Sequence, residues 1–426
     1  MDQFSSKPLF ESNLLQHAQG ESTTVVLQVS DFHISGGLEQ VVYDVAVVLR
    51  SQSFDVILFN CGKSGQPFQK FADDRFKTVS LDCNNEQEYK RQLSIHDAKL
   101  VNGHYSVQGA KWCHDVNVLF IQTIHNMYLW LFEPNFSLLL KQHRDADEYT
   151  SAYICVSQTV LNYAAYKMNL DKQKMIVIRN GVDESRMDKS CDATSLRRSL
   201  GYDENDFLIL QSGTIAPLKG QEYVADAVMK ARKELDDKSI KLVLAGTIQD
   251  RVYARNIAKR DIGGTTINFV GLRKDMNCLL QAIDLYCHPS LLEGWSLAVA
   301  EAAYMNKHIL TTNTGGSVQL LQGDDPSKSC LNGKIISIIE PPYHDINNVN
   351  INTLTTTKYR HFSEQVKRNI VDIYLKSKTN TCPTNHLQDF KSRMKSSHIY
   401  KAYSLLFKWT LTGGSISSAR RLIKTM

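Results

Sequence analysis

Two carboxylates lie eight positions apart in the segment LEGWSLAVAEA, which runs from Leu292 to Ala302. The pattern places Glu293 in a loop after a predicted strand and Glu301 inside an otherwise apolar predicted helix. A carboxylate among alanine and valine side chains is costly to bury unless hydrogen-bond donors satisfy it. Ribose hydroxyls are donors of that kind, so the spacing points to sugar-nucleotide chemistry.

The start of the same helix offers a second kind of ligand contact. Ser296 can cap the helix that carries Glu301. Free backbone amides at a helix start, together with the positive end of the helix dipole, suit hydroxyls or a phosphate. A cap beside a surface glutamate is the ordinary interpretation of an isolated pair of glutamates. The strand, the glycine-containing turn and the apolar helix favour a ligand site instead.

A glycine pair near the start of the chain forms another candidate contact. Gly36 and Gly37 stand between the predicted strand Thr24 to Val29 and a helix that begins near Leu38. Glycines allow close approach of a ligand, and such a strand-to-helix turn can hold a diphosphate or its sugar. The alternative is a plain turn followed by Glu39, whose charge complements the helix dipole.

Lys219 occupies the equivalent place in the second half of the chain. It follows the predicted strand Phe207 to Gln211 and comes just before the predicted helix Gln221 to Leu235. An ammonium there can neutralise the charge that builds on a departing nucleoside diphosphate, so no bound metal is expected. The alternative is a solvated surface lysine.

His125 follows the predicted strand Val118 to Gln122, again at a carboxyl end. Its imidazole can hydrogen-bond a sugar or a leaving group, and the alternative is a satisfied structural histidine. His104 has a similar position, and we interpret it as structural. The acidic string Asp145-Ala146-Asp147 lies in a polar, predicted helical stretch, so we expect a solvated face there rather than a metal site.

The order of the predicted elements indicates the fold class. Short β-branched runs alternate with helical stretches, which predicts an α/β protein with parallel sheets. The alternation restarts after a junction near residues 181–205, so we predict an acceptor-side domain over residues 1–185 and a nucleotide-sugar-binding domain over residues 186–399. Ligands lie beyond the carboxyl ends of the strands, and we expect two such sheets to face a central cleft. A long last helix, His386 to Trp409, is predicted to cross back, so that residues 400–426 complete the first domain.

Composition limits the class of protein. The chain has 426 residues, a hydrophobic share of 42%, a charged share of 22% and a formal net charge of +5. This length exceeds that of a domain with a single hydrophobic core, which favours two domains. No stretch is long enough to cross a bilayer, and the start lacks the pattern of a secretory signal, so we expect a cytoplasmic protein. No nucleic-acid partner is predicted.

Cysteines and basic residues give two further expectations. Nine cysteines occur without CxxC pairs, and their odd number argues against a disulfide framework or a zinc site. Basic residues concentrate near the C-terminus, where a solvated face is one interpretation and a weak peripheral contact with anionic lipid, at the inner face of the membrane, is the other. These residues are Lys391, Arg393, Lys395, Lys401, Lys408, Arg420, Arg421 and Lys424.

The ordered series of segments resembles glycosyltransferase family 4, retaining enzymes with two Rossmann-like domains known as the GT-B fold. The resemblance covers most of the chain and rests on five segments, any one of which would be weak alone. They are GGLEQVVYDVAVVLR near the start, VIRNGVD at 177–183, SGTIAPLKG at 212–220, LVLAGT at 242–247 and VGLRKDMNCLLQAIDLYCHPSLLEGWSLAVAEA at 270–302.

The resemblance implies roles for individual residues. Glu293 and Glu301 match the family motif of two glutamates separated by seven residues, with Glu293 on hydroxyls of the transferred sugar and Glu301 on the ribose. Lys219 matches the lysine that contacts the diphosphate, and His125 matches a histidine close to the donor sugar. The remaining donor-site residues by resemblance are Gly36, Gly37, Gly294, Trp295, Ser296, Leu297, Val270 and Arg273.

Two positions depart from the family pattern. The family arginine after the glycine of the segment that ends in Lys-Gly is replaced by Thr214, behind Gly213. Either Lys219 and nearby helix starts suffice, another basic residue such as Arg273 compensates, or transfer is slow. The aromatic-glycine pair after the first motif glutamate is also altered, to Trp295-Ser296, which leaves the donor sugar open.

The function expected from the residues and the resemblance is a metal-independent transfer of a sugar, with retention, from a UDP- or GDP-linked donor to a carbohydrate or lipid-linked acceptor hydroxyl. The nucleotide sugar is a co-substrate, and no cofactor is expected. A sugar-nucleotide epimerase and a non-catalytic nucleotide-sugar-binding protein are the alternatives. A role in cell-envelope polysaccharide or glycolipid synthesis is an expectation from similar enzymes.

Overall fold

A computed structural model of the chain describes residues 22–29, 37–61, 69–127, 134–261, 263–322, 333–336, 360–378 and 387–424. The chain forms two compact units. The first consists of Met1–Thr123, Ala146–Tyr153 and Tyr400–Met426, and the second of Ile124–Asp145 and Ile154–Ile399. The domain limits expected from the sequence, after residues 185 and 399, stay a prediction.

Strands and helices alternate along the first half of the chain. Their bounds are β1 Thr23–Val29, α1 Gly37–Ser51, β2 Phe54–Asn60, α2 Gln69–Asp73, β3 Lys77–Ser80, α3 Glu86–Ile95, β4 Ala98–His104, α4 Ala110–Asp115, β5 Leu119–Ile124, α5 Asn135–Asp147, β6 Ala152–Cys155, α6 Gln158–Tyr166 and β7 Met175–Val177. Within the described residues these strands form one sheet in the order β3-β2-β1-β4-β5-β6-β7. The pairs β2–β3, β1–β2, β1–β4 and β4–β5 are parallel.

The second half repeats the alternation after two short helices. The bounds are α7 Glu184–Met187, α8 Ala193–Ser199, β8 Phe207–Ser212, α9 Gln221–Leu235, β9 Ile240–Ala245, α10 Arg251–Ala258, β10 Ile267–Gly271, α11 Met276–Ala282, β11 Leu285–His288, α12 Leu297–Tyr304, β12 His308–Thr312, α13 Ser317–Gln322, β13 Gly333–Ile336 and α14 Arg360–Ser377. The described strands form a sheet in the order β10-β9-β8-β11-β12-β13. Its neighbouring strands pair in parallel, which confirms the predicted α/β architecture with two parallel sheets.

The residue pattern explains why these segments form strands and helices. In β1, all but the first residue are buried, as expected for a parallel strand covered on both faces. In α1, the buried residues Val41, Val45 and Leu49 recur at helical spacing and so give the helix one face for the core. Burial therefore follows the periodicity of each segment, and this periodicity is already visible in the sequence.

The end of the chain differs from the prediction. In place of one long helix from His386 to Trp409, the described residues form three, with bounds α15 Leu387–Met394, α16 Ser396–Ile399 and α17 Lys401–Leu411, and a further helix, α18 Ile416–Lys424, follows. The break at Lys395 has a physical cause, because the backbone pairs there with Val182: the Val182 amide donates to the Met394 carbonyl and the Ser396 amide donates to the Val182 carbonyl, both at 2.8 Å. The Met394 carbonyl and the Ser396 amide therefore cannot form hydrogen bonds within a continuous helix.

The predicted return of the C-terminal helix to the first domain is confirmed. Helix α17 packs against α1 and β4, all within the first unit. The ammonium of Lys408 lies 5.6 Å from the centre of the Phe54 ring. Leu406 and Phe407 are fully buried, so α17 contributes apolar side chains to the core of this unit.

Two disulfides correct the expectation from the cysteine pattern. The structure bonds Cys61 to Cys83 and Cys191 to Cys278, across sequence separations of 22 and 87 residues. Neither pair has a short spacing that would reveal it in the sequence, because the fold brings the partners together.

No helix in the described part of the chain is long and apolar enough to span a membrane.

Candidate active site

Lys219 is held at the carboxyl edge of the second sheet by the turn that precedes α9. Residues Pro217–Lys219 form one 3-10 turn, and Gly220 follows with φ of 70°. A Cβ atom at Gly220 would lie 2.3 Å from the carbonyl oxygen of Pro289, so only glycine fits there. The amide of Leu291 donates to the carbonyl of Leu218 at 2.8 Å. These contacts bring the lysine turn against the loop after β11.

Glu293 forms an ion pair with Lys219. The Lys219 Nζ donates to Glu293 Oε1 at 2.6 Å, and the Nε2 of His288 lies 2.9 Å from the same oxygen. Glu293 and His288 are buried, whereas the Lys219 side chain is 29% exposed. The structure therefore joins two of the three predicted catalytic residues and adds a histidine that the sequence analysis did not select.

The charge of Glu293 is set by opposing effects. Burial alone would raise the pKa of this carboxyl, but the Lys219 ammonium and the hydrogen bond from His288 outweigh it and hold the pKa of Glu293 below its usual range. The carboxylate is therefore ionised across the physiological pH range. An ionised carboxylate is a pure hydrogen-bond acceptor and suits the hydroxyls of a sugar.

Glu301 has a separate ion pair. It lies in the second turn of α12, and Arg186 of α7 donates from Nη2 to its Oε1 at 2.7 Å. Burial raises the pKa of Glu301, Arg186 opposes that rise, and Asp183 adds to it. The sequence analysis missed Arg186, because no local pattern reveals a contact across 115 positions.

Tyr286 responds to the charge of both glutamates. Burial raises the pKa of its phenol, and the charges of Glu301 and Glu293 raise it further. Lys219 with Glu293, and Arg186 with Glu301, form two separate ion pairs, both within the second unit. The convergence of Lys219, Glu293 and Glu301 on one cavity stays a prediction.

The start of α12 has the predicted cap. The Ser296 Oγ accepts a hydrogen bond from the amide of Val299 at 3.3 Å, and Leu297 is the first helical residue. Trp295 is buried, with the Arg179 guanidinium 5.9 Å from its ring centre. The carbonyl of Gly294 accepts from the Gly316 amide at 2.9 Å, which holds the loop in place.

His125 packs against this loop through its backbone. A Cβ atom at Gly294 would lie 1.9 Å from the carbonyl oxygen of His125, so the close approach requires glycine. The His125 side chain is buried directly after β5, and burial lowers its pKa to about 3. Its imidazole is therefore neutral at physiological pH and can exchange hydrogen bonds without carrying charge.

The remaining predicted site residues are not hydrogen-bonded to the Lys219–Glu293 ion pair in the described part of the chain. Gly36 lies outside the described residues, and Gly37 is the exposed first residue of α1. Val270 lies in β10. The Arg273 guanidinium is bonded to the carboxylate of Asp275 at 2.8 and 2.5 Å. Among the described residues, no hydrogen bond or ion pair joins Val270 or Arg273 to Lys219 or Glu293, and the assignment of all four residues to the donor site stays a prediction.

The acidic string in α5 has local partners, as a solvated face would. Asp145 pairs with Lys141 at 2.5 Å, and Asp147 accepts a hydrogen bond from the Tyr153 hydroxyl at 2.9 Å. Among the described residues, no group of three or more histidine, cysteine, aspartate or glutamate side chains is placed to hold a metal ion.

Two family models match consecutive parts of the chain. The model described as Glycosyltransferase Family 4 matches residues 35–186, and the model described as Glycosyl transferases group 1 matches residues 192–331. Lys219, Glu293 and Glu301 lie within the second match, and His125 lies within the first.

Individual relatives are similar at lower identity. The chain is 25% identical over 228 residues to an uncharacterized glycosyltransferase of Methanocaldococcus jannaschii, a match that covers 50% of this chain and only 56% of that protein. It is 23% identical over 313 residues to the UDP-Gal:alpha-D-GlcNAc-diphosphoundecaprenol alpha-1,3-galactosyltransferase of Escherichia coli, which covers 68% of this chain and 79% of that protein.

A solved structure agrees with the fold. Anabaena HepE in complex with UDP and glucose superposes with a TM-score of 0.70 at 17% identity, over 90% of this chain and 98% of that chain. Together with the two parallel sheets and the family matches, this likeness identifies the architecture. The chain is a glycosyltransferase with the GT-B fold and belongs to the family 4 type.

Proposed function

We propose that the protein transfers a sugar from a nucleoside diphosphate donor to an acceptor hydroxyl with retention at the anomeric carbon and without a metal ion. The observation that carries the proposal is the Lys219–Glu293 ion pair beside the start of α12. It combines one cation, one ionised acceptor and a set of helix-start amides within one loop region. A nucleotide sugar has a group that complements each of them.

Each part of the site has a distinct task in this proposal. Lys219 and the amides at the start of α12 stabilise the negative charge that grows on the departing diphosphate. Glu293 accepts hydrogen bonds from hydroxyls of the transferred sugar, and Glu301 accepts them from the ribose. Positioning and electrostatic stabilisation then supply most of the rate acceleration.

His125 contributes as a neutral group. With a pKa near 3, its imidazole cannot carry a proton to the leaving group as a charged acid at neutral pH. His125 also places its backbone carbonyl beside Gly294, in the region where the donor sugar is proposed to lie. We therefore assign it to orientation of the sugar, and retention remains an inference from the family resemblance.

The relatives favour UDP over GDP as the donor nucleotide. The Escherichia coli relative is named for a UDP-linked galactose donor and a diphosphoundecaprenol-linked acceptor, and Anabaena HepE was solved with UDP and glucose. By analogy we propose a UDP-sugar donor and a lipid-linked or polysaccharide acceptor of the cell envelope, with the protein on the cytoplasmic side. The exposed basic residues Arg421 and Lys424 of α18 suit a peripheral contact with anionic lipid there.

A donor screen tests the proposed function. Purified protein is heated with UDP, GDP and ADP and with their glucose, galactose and N-acetylglucosamine or mannose conjugates, and the thermal shift identifies the donor. The same donors are then incubated with and without a chelator while nucleotide release is measured. Transfer or slow donor hydrolysis that the chelator leaves intact is the expected result.

Other outcomes would replace the proposal. Isomerised donor without release would indicate an epimerase. Stabilisation without any turnover would indicate a binding protein, a candidate that the exposed Thr214 in place of the family arginine favours. Loss of activity with chelator would contradict the metal-free mechanism.

A further inference from the structure

We propose that His288 is a positioning residue that keeps Glu293 in place and thereby frees Lys219 to bind the donor diphosphate. The inference rests on the proposed function, because it assigns a diphosphate to Lys219. It concerns a residue that lies five positions before the first motif glutamate and belongs to none of the roles assigned above.

The bonding pattern at Glu293 suggests competition between two donors. Lys219 Nζ at 2.6 Å and His288 Nε2 at 2.9 Å both contact the Oε1 atom, and no other described residue bonds to Oε2. The second oxygen is thus left for a ligand hydroxyl. If Lys219 turns to an anionic ligand, His288 is the donor that stays with the carboxylate.

His288 is held far more firmly than Lys219. It ends β11, is 2% exposed, and its ring stacks on that of Tyr286 at an angle of 13°. Its carbonyl accepts a hydrogen bond from the Thr311 hydroxyl at 3.0 Å on the neighbouring strand β12. A ring enclosed in this way stays in place when a ligand arrives.

The chemistry of the ring assigns it a donor role. An ionised carboxylate only accepts hydrogen bonds, so the His288 Nε2 must carry the proton. The Nδ1 atom is buried, and no residue in the described ranges hydrogen-bonds to it. Among the described residues, the hydrogen bond from Nε2 is therefore the one side-chain donor contact of this ring to Glu293.

Lys219 has the opposite properties. Its side chain is 29% exposed, and a lysine has a flexible stem with a charge that can change partners. Without His288, departure of Lys219 would leave the buried carboxylate without a donor among the described residues, which is costly. Lys219 would then stay with Glu293, and the diphosphate would lose its cation.

The test is a set of binding measurements on the full chain with UDP as the probe. His288→Leu removes the donor, and His288→Gln keeps an amide N–H near the position of Nε2. We expect His288→Leu to weaken UDP binding on the order of fivefold, by the net worth of one ordinary hydrogen bond. We expect His288→Gln to stay within about twofold of the wild type.

A background substitution separates positioning from general damage. In a Glu293→Gln protein Lys219 is no longer held by a charge, so His288→Leu should there change UDP affinity by less than about twofold. Cys287→Ala is the matched control, since Cys287 is the buried neighbour in β11 and packs in the apolar core. It should lower the thermal midpoint without changing UDP affinity.

Each contrary result has a separate meaning. Normal UDP binding by His288→Leu, or an equal loss in the Glu293→Gln background, would overturn the inference and leave the proposed function standing. Failure of the glutamine variant to restore affinity would also overturn it, because only packing would then matter. If the wild type binds neither UDP nor GDP nor ADP, the proposed function itself fails.

Discussion

At the residue scale, the two glutamates of the candidate site are distinguished by their partners. Glu293 is held ionised by Lys219 and His288, whereas burial raises the pKa of Glu301 against the opposing charge of Arg186. The first carboxylate is poised to accept hydrogen bonds at any physiological pH. The second depends on one guanidinium for its charge.

Substitution of Lys219 and of Glu301 should have different kinetic effects. Lys219→Ala is expected to lower turnover on the order of a hundredfold and to weaken UDP binding only a few-fold. The reason is that the lost ammonium stabilises negative charge that grows mainly in the transition state. Glu301→Ala is expected to weaken UDP binding on the order of tenfold, because the ribose loses its acceptor. Nucleotide titration and initial rates measure both. Wild-type behaviour of either variant would remove that residue from the site.

Loss of Arg186 should produce a pH-dependent loss of stability. The pKa of Glu301 already lies above its usual value near 4.5, and Arg186→Met removes the opposing charge and raises it further. When its pKa is raised, the folded state binds the proton of Glu301 more tightly than the unfolded chain does. The variant therefore loses stability as pH rises from the usual pKa near 4.5 through the raised pKa of the folded state, and it stays less stable above that pKa. We expect a deficit of about 2 kcal/mol at pH 8 and a smaller one at pH 4.

Urea unfolding of wild type and variant at pH 4, 6 and 8, read from the transition of the second unit, measures that deficit. Arg186→Lys keeps a positive charge and should recover part of the stability at pH 8. A deficit that is equal at all three pH values would show that the arginine acts by packing alone and not through the charge of Glu301.

At the element scale, the loop between β11 and α12 depends on close backbone contacts. Gly294 lies against the His125 carbonyl, and Gly316 donates to the Gly294 carbonyl. These contacts hold Glu293 in the middle of the loop and the Ser296 cap at its end. The loop therefore places side chains accurately because its own backbone has no room to move.

Gly294→Ala should abolish activity more completely than any side-chain substitution in the loop. Its Cβ atom would lie 1.9 Å from the His125 carbonyl oxygen, which forces the two segments apart. We expect at least about a hundredfold loss of turnover, as displacement of catalytic groups by about 1 Å can produce. Gly263→Ala is the control, since no atom lies within 4 Å of its added Cβ and its φ is not positive. Normal rates for Gly294→Ala would show that the loop can shift to accommodate the Cβ atom without displacing the catalytic groups.

At the scale of the whole molecule, the C-terminal segment contributes to both compact units. The backbone pair of Lys395 with Val182 belongs to the second unit, and α17 packs in the core of the first. Because the chain has two units, unfolding is not expected to be a single two-state transition. The effect of a substitution in α17 should therefore be measured segment by segment and not from one global unfolding transition.

Phe407→Ala should destabilise the first unit by about 3–5 kcal/mol, since it leaves a cavity at a fully buried position. Hydrogen exchange followed by peptide mass spectrometry should show faster exchange in α1 and β4, against which α17 packs. Peptides of α12 should exchange as in the wild type. Lys401→Ala, at an exposed position of the same helix, is the control. Unchanged exchange in both α1 and β4 would contradict the packing role of α17.

Much of the fold and part of the site can be predicted from the sequence. The strand Leu285 to His288 and the helix Leu297 to Tyr304 have the predicted bounds, and the predicted Ser296 cap is present. The donor-binding assignments of Val270 and Arg273 stay predictions. The contacts of Arg186 and the Cys191–Cys278 bond were missed, because they join positions far apart in the chain. The predicted long last helix was wrong, because Lys395 pairs with Val182.

The sequence by itself determined the parallel α/β architecture and the candidate glutamates, since periodicity, turns and caps are local properties that act over a few residues. Only the tertiary structure decided which cation pairs with which carboxylate. Lys219 and His288 meet at Glu293, and Arg186 meets Glu301. Ion-pair partners depend on distances between separate elements, and those distances exist only after the sheet and its helices have packed.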